Sequence, residues 1–355
     1  MPELLISVMA AFAVLGALDR IFGNPFGLGR EFENGILAMG SLALAMLGIM
    51  SLAPVLAGLL KPVLVPLFRL LGADPAMFAG LLACDMGGAS LAQALTADPR
   101  AAILGGLLTG SMLGATLVFA IPVAMGILRP GDRSAMGRGF LAGIVTIPLG
   151  VLAGGLTAGF PLLMVLRNLT PVVLLAIAIA LGLWKAEDAM IRGFEAFGRG
   201  VVALITVGLA AAIVKKLTGF TLIPGLAPLE QGFQTVGEIA IVLAGAFPLV
   251  SLLTRVLKKP LSRLGSLLGI NEAAAAGLLA TLANSIAAYE LVDRMDRRGK
   301  IICIAFTVSA AFVFGDHLGF TAGFAPRYLT AVIVGKLTGG VSAVAVAWLM
   351  TRKTP

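Results

Sequence analysis

The sequence predicts an all-α polytopic membrane protein of two inverted structural repeats, with about nine transmembrane helices and two re-entrant or discontinuous helical hairpins. Three observations carry this. Hydrophobic residues make up 59% of the 355 and charged residues only 12%, against about a quarter charged in soluble domains. Apolar runs of about twenty residues, enough to cross a ~30 Å hydrocarbon core, recur along the chain. Residues 70–83 (LLGADPAMFAGLLA) also align without gaps on 267–280 (LLGINEAAAAGLLA), 197 residues further on, with 9 of 14 positions identical.

In order, the spanning runs are residues 3–22, 35–60, 101–128, 139–160, 162–184, 200–217, 236–257, 301–320 and 329–350. The first lacks a basic flank and is too long for a signal peptide's apolar region, so it reads as a retained span. Segments 74–95 and 272–290 are long enough to cross but are interrupted by polar or glycine residues. Paired interruptions in corresponding positions of two halves are the sequence mark of a carrier's binding site. The expected organisation is a first membrane repeat over 1–160, a linker helix over 161–184 and a second repeat over 185–355.

Loop charges choose between two topologies. If both interrupted segments cross, giving eleven spans, the lysines and arginines split 13 to 12 between the faces and indicate no orientation. If both are hairpins, the split is 18 to 7, with the N-terminus outside and the C-terminus in the cytoplasm. That topology also turns the second repeat upside down relative to the first. The net charge of +8 therefore reads as the positive-inside bias of short loops and not as a nucleic-acid surface.

The same residues exclude most enzyme classes. The chain has no Walker A loop, no H-E-x-x-H and no G-x-S-x-G beside its single histidine. Cys84 and Cys303 both fall in apolar runs without metal-type spacing, so neither a disulfide framework nor a zinc site is expected, and no cofactor is implied.

The candidates for binding chemistry are the polar residues inside apolar runs. Asp85 stands in GLLACDMGG (residues 80–88), followed by Met86 and two glycines that let a helix unwind. A carboxylate there costs roughly 2.5–3.5 kcal/mol on insertion scales and is a functional-site candidate by default. Its structural alternative is to accept hydrogen bonds from backbone N–H groups freed by the break. The 197-residue shift sets Asn284 and Ser285 opposite this stretch, where they offer amide and hydroxyl groups or serve as helix caps. Asp316 and His317 sit in GDHLGF, as a proton relay or as a buried helix-to-helix contact. Adjacent helical residues point about 100° apart, so these two need not touch each other. Glu238 reads as interfacial, and Lys336, about 10 Å inside its span, as a neutralising partner for Glu238 or Asp316.

Several stretches also resemble one known family. FENGILAMGSLALAMLGIMSLAPVLA from Phe32, MFAGLLACDMGGASLA from Met77, LAGIVTIPLGVLAGGL from Leu141, LLATLANSIA from Leu278, FGDHLGF from Phe314 and VIVGKLTGG from Val332 are similar to the ethanolamine-utilisation permeases (EutH). The resemblance implies a secondary transporter that takes up ethanolamine across the bacterial inner membrane by alternating access. Its partners would be ethanolamine and the lipid bilayer, with oligomeric state left open. A protonated amino alcohol wants one carboxylate and one or two polar groups, and Asp85 with Asn284 and Ser285, or Asp316 with His317, would supply them. Uniport and symport with a proton or sodium ion both stay open. The competing readings are a carrier for another small solute, such as a carboxylate or nucleoside, or an ethanolamine-sensing receptor.

Overall fold

The computed structural model describes residues 2–82 and 88–352, and Asp85 and Met86 lie outside that set. Among the described residues the fold is all helix, with eight helices long and apolar enough to cross a membrane. The first half holds α1 (Pro2–Ile21), α2 (Leu28–Leu70), α3 (Ala76–Ala79), α4 (Gly88–Leu95) and α5 (Pro99–Ala102). α5 runs into a π-helix (Ile103–Ala120), then α6 (Ile121–Ile127), α7 (Arg133–Ile144) and α8 (Ile147–Thr157). After α9 (Leu162–Lys185) come α10 (Glu187–Thr218), α11 (Leu229–Leu268), α12 (Glu272–Ala283), α13 (Ser285–Tyr289), α14 (Arg297–Ala310), α15 (Asp316–Phe324) and α16 (Leu329–Thr351).

The two longest helices, α2 of 43 residues and α11 of 40, pack on each other. At 1.5 Å per residue each is roughly 60 Å long, about twice the hydrocarbon thickness, so both run well past the apolar stretches that announce them. α1 packs against α11, and α10 against α2. α8 and α16 cross backbone to backbone, where a Cβ on Gly150 would lie 2.7 Å from the Gly335 carbonyl. Small residues give such crossings their close approach in lipid.

The duplicated sequence folds alike at its start. After α2, Gly72 takes φ +67°, Gly72 N–H donates to the Arg69 carbonyl and Ala73 N–H to that of Phe68. After α11, Gly269 also takes φ +67°, its N–H donates to the Ser266 carbonyl and Ile270 N–H to that of Gly265. A left-handed residue at this position ends a helix and satisfies its last carbonyls, and glycine adopts it without a Cβ penalty. An Asx residue then starts the next segment: Asp74 accepts from Ala76 N–H at 2.8 Å, and Asn271 from Ala274 N–H at 3.0 Å. Each segment is also tied at its far end. Thr96 Oγ1 donates to Asp74 Oδ2 at 2.7 Å, and Asn271 Nδ2 donates to the Arg294 carbonyl at 2.8 Å.

The expected span 139–160 is interrupted at 145–146 between α7 and α8 yet stays long enough to cross, whereas 301–320 does not. Residues 301–320 do not form a continuous helix: α14 stops at Ala310 and α15 begins at Asp316. Phe312 between them has φ +62°, a conformation unusual for a bulky side chain. Hydrogen bonds to α12 hold it there, which no local pattern in the chain announces.

Candidate functional site

The candidate site lies where two helix interruptions meet. α12, capped by Asn271, ends at Ala283, and Asn284 follows in an extended conformation (φ −157°, ψ 127°). The Asn284 side chain accepts from Ile286 N–H at 2.8 Å and so starts α13. The carbonyls at the end of α12 lack intrahelical donors. The chain between α14 and α15 supplies them: Phe312 N–H donates to the Thr281 carbonyl at 3.1 Å and Phe314 N–H to that of Leu282 at 2.9 Å. Gly315 lies against the Ala283 carbonyl, 2.2 Å from where a Cβ would stand, so any side chain at 315 would force the two breaks apart.

α15 then opens with Asp316 in its first turn, where the helix dipole favours a negative charge. Asn284 and Asp316 line two cavities at once. One, of about 270 Å³, is walled by Ser41, Phe119, Ile286, Phe312 and His317. The other, of about 420 Å³, runs between α2 and α11 along Glu31, Asn34, Ser251, Thr254 and Arg255. His317 is 1% exposed, and its ring lies 5.2 Å from that of Phe312, which in turn meets Phe119 edge-on at 5.9 Å. The arrangement offers a carboxylate, an amide and an imidazole on one wall, faced by aromatic rings. Such a set suits a small solute carrying one cationic and one hydrogen-bonding group.

The structure thus brings together Asn284, Asp316 and His317, which the sequence divides between two alternative sites. Ser285 is fully buried one position behind the wall formed by Asn284 and Ile286. Lys336 is fully buried on α16 and donates to the Ser111 carbonyl of the π-helix at 2.7 Å. Glu238 is exposed and accepts from Gln234 Nε2 at 3.0 Å, and no ion pair among the described residues joins it to Lys336.

Sequence reasoning misses the wall that α2 and α11 contribute. Glu31, Asn34, Ser41 and Ala45 recur at intervals that place them on one helical face, as do Phe247, Val250, Ser251, Thr254 and Arg255. A polar stripe at helical spacing inside or beside an apolar run is the signal that finds them.

Comparison with known proteins agrees along the whole length. Residues 1–350 match the family model of the ethanolamine utilisation protein EutH. The chain is 56% identical to the probable ethanolamine permease EutH of Listeria monocytogenes, over 99% of this chain and 94% of that protein. It is 47% identical to the probable ethanolamine permease EutH of Salmonella typhimurium, over 99% and 96%. It is also 47% identical to the uncharacterized protein YxeR of Bacillus subtilis, over 98% and 95%. No solved structure matches.

Proposed function

The chain belongs to the EutH ethanolamine utilisation family, and from that premise we propose that it is a secondary permease carrying ethanolamine, in its ammonium form, across the bacterial inner membrane. The observation that carries the reading is the shared wall of Asn284 and Asp316, where the breaks after α12 and α14 meet. The substrate ammonium pairs with Asp316, and the hydroxyl bonds to the Asn284 amide or the His317 ring. Aromatic faces such as Phe312 and Phe119 suit the cation as well. Asp85 and Met86 of the first duplicated stretch, and Ser285 next to Asn284 in the chain, belong to the same proposed binding set.

Transport proceeds by alternating access between two inverted repeats, 1–160 and 185–355, joined by α9. Support comes from the matched helix ends at Gly72 and Gly269 and from the crossed pairing of α1 with α11 and α10 with α2. The bonds tying Thr96 to Asp74 and Asn271 to Arg294 favour reading both segments as hairpins that enter and leave on one face. With the N-terminus outside, the cavity beside Glu31 and Arg255 opens to the cytoplasm. A separate cavity of about 530 Å³ along Gln93, Thr96, Arg327 and Tyr328 then marks the outer approach. Inward movement of a cation gains ~2.3 kcal/mol per 100 mV of membrane potential, so uniport suffices to concentrate it.

Counterflow of labelled ethanolamine in proteoliposomes tests this. Saturable exchange is expected. No exchange would make the protein a receptor, and exchange of some other solute that ignores the amine would make it a different carrier. Asp316→Asn and Asp85→Asn, compared in the same assay, decide which carboxylate holds the ammonium.

A further inference from the structure

Away from the substrate cavities, an apolar groove of about 550 Å³ runs between the end of α11, α12, α14 and α16, lined among others by Leu268, Leu278, Leu282, Phe306, Val341 and Trp348. Along α16 it extends from Leu337 to Trp348, eleven residues or about 16 Å, which suits the length of an acyl chain. Its Trp348 end is cationic. The Arg298 guanidinium carbon lies 5.8 Å from the Trp348 ring centre and that of Arg352 lies 4.2 Å away. Arg138 reaches the same end, donating to the Met350 carbonyl at 3.2 Å.

The acidic groups nearby are engaged elsewhere. Asp293 pairs with Arg129 and Asp132 with Lys300, while Asp296 accepts from the N–H groups of Asn271 and Gly299. Among the described residues neither Arg298 nor Arg352 forms an ion pair, and the buried Nε of Arg298 has no hydrogen-bond partner.

We propose that this groove binds one anionic phospholipid, its acyl chain lying along α16 and its phosphate held by Arg298 and Arg352. The two-part character of the groove fits no purely apolar occupant: hydrocarbon on one stretch, two guanidiniums on the next, and a tryptophan at the boundary, where membrane aromatics sit. A second copy related by a two-fold axis along the membrane normal would bring two such cationic ends to the same depth. Arginine forks bind phosphate through two parallel charge-assisted hydrogen bonds, which phosphatidylcholine's own cation would oppose.

The test uses the full chain, purified in neutral detergent and followed by native mass spectrometry with phosphatidylglycerol or phosphatidylcholine. Wild type should retain phosphatidylglycerol roughly tenfold more strongly, the worth of one charge-assisted hydrogen bond. Arg298→Gln with Arg352→Gln should bring the two lipids level. Arg192→Gln with Arg199→Gln, an equal loss of charge at exposed positions of α10, should keep the preference. Val341→Trp, filling the groove from a residue that is 63% exposed, should reduce retention of both lipids without unfolding the bundle. Equal retention by wild type, or a preference surviving loss of both arginines, overturns the proposal. So does efficient crosslinking of Val341→Cys into dimers in phosphatidylglycerol vesicles, which would give the groove to a second copy.

Discussion

The two duplicated stretches share their beginnings and, among the described residues, differ in the helix that follows, four residues in α3 against twelve in α12. After the matched glycines, Asp74 and Asn271 begin the next segment in the same way, and each segment is tied back near its far end. Beyond that they part. In the second half α12 ends at Ala283, and the neighbouring chain breaks fully between α14 and α15 to reach the freed carbonyls. In the first half the position matching that break lies within the π-helix, which keeps its course from Ile103 to Ala120 and widens instead of breaking. A π register is itself unusual over such a length and tends to occur at functional sites. The comparison teaches that matched helix ends recur in both stretches, while the break between α14 and α15, which presents Asp316 at a helix start, has no counterpart at the matching position of the π-helix.

Variants that strike one half and spare the other sharpen this contrast. The largest effect is expected from Asp316→Asn, which should weaken ethanolamine binding by about 2–3 kcal/mol, of order a hundredfold, in equilibrium binding to purified protein. An equal or greater loss in Asp85→Asn alone would shift the site's weight to the first half. Gly315→Ala comes next, since its Cβ would stand 2.2 Å from the Ala283 carbonyl. It should cost roughly 1–3 kcal/mol of stability and abolish counterflow. Gly105→Ala, whose Cβ would meet the Ala76 carbonyl at 2.4 Å, should cost as much stability by thermal melting yet leave substrate affinity nearer wild type.

Smaller effects probe the caps. Asn284→Ala removes the acceptor that starts α13 and should destabilise by ~1 kcal/mol while weakening binding. Asn284→Ser should restore the stability and leave the binding defect, because a serine caps a helix but lacks the amide. Least affected should be Thr96→Val, which removes the bond to Asp74 and should lower stability by about 1 kcal/mol with binding unchanged. Asn271→Ala, which removes the cap of α12 as well as the tie to Arg294, should cost more in the same melting assay.

Much of the scaffold is legible in the chain. Apolar runs locate eight of the nine expected spans, and the repeated LLG followed by an Asx residue announces two helix stops and two new starts. The candidate site is legible only in part. Asp316, His317 and Asn284 stand out because polar groups are costly in hydrocarbon. Their meeting in one cavity does not, since Asn284 and Asp316 are far apart in sequence and belong to different helix breaks. The break at 311–315 is hidden for a related reason: AFVFG is as apolar as its surroundings and contains no proline. Lys336 shows the limit from the other side. Its depth can be counted from the end of its span, but its acceptor, the Ser111 carbonyl, lies 225 residues away.

Composition and periodicity by themselves determined that this chain is a helical membrane protein with a duplicated pair of interrupted segments. Hydrocarbon admits only backbone that satisfies its own hydrogen bonds, so spans and their interruptions are written locally. Tertiary structure alone decided which interruptions face each other. The carbonyls freed at the end of α12 are answered by N–H groups from the chain between α14 and α15, and which donor fills which vacancy depends on packing between helices remote in sequence.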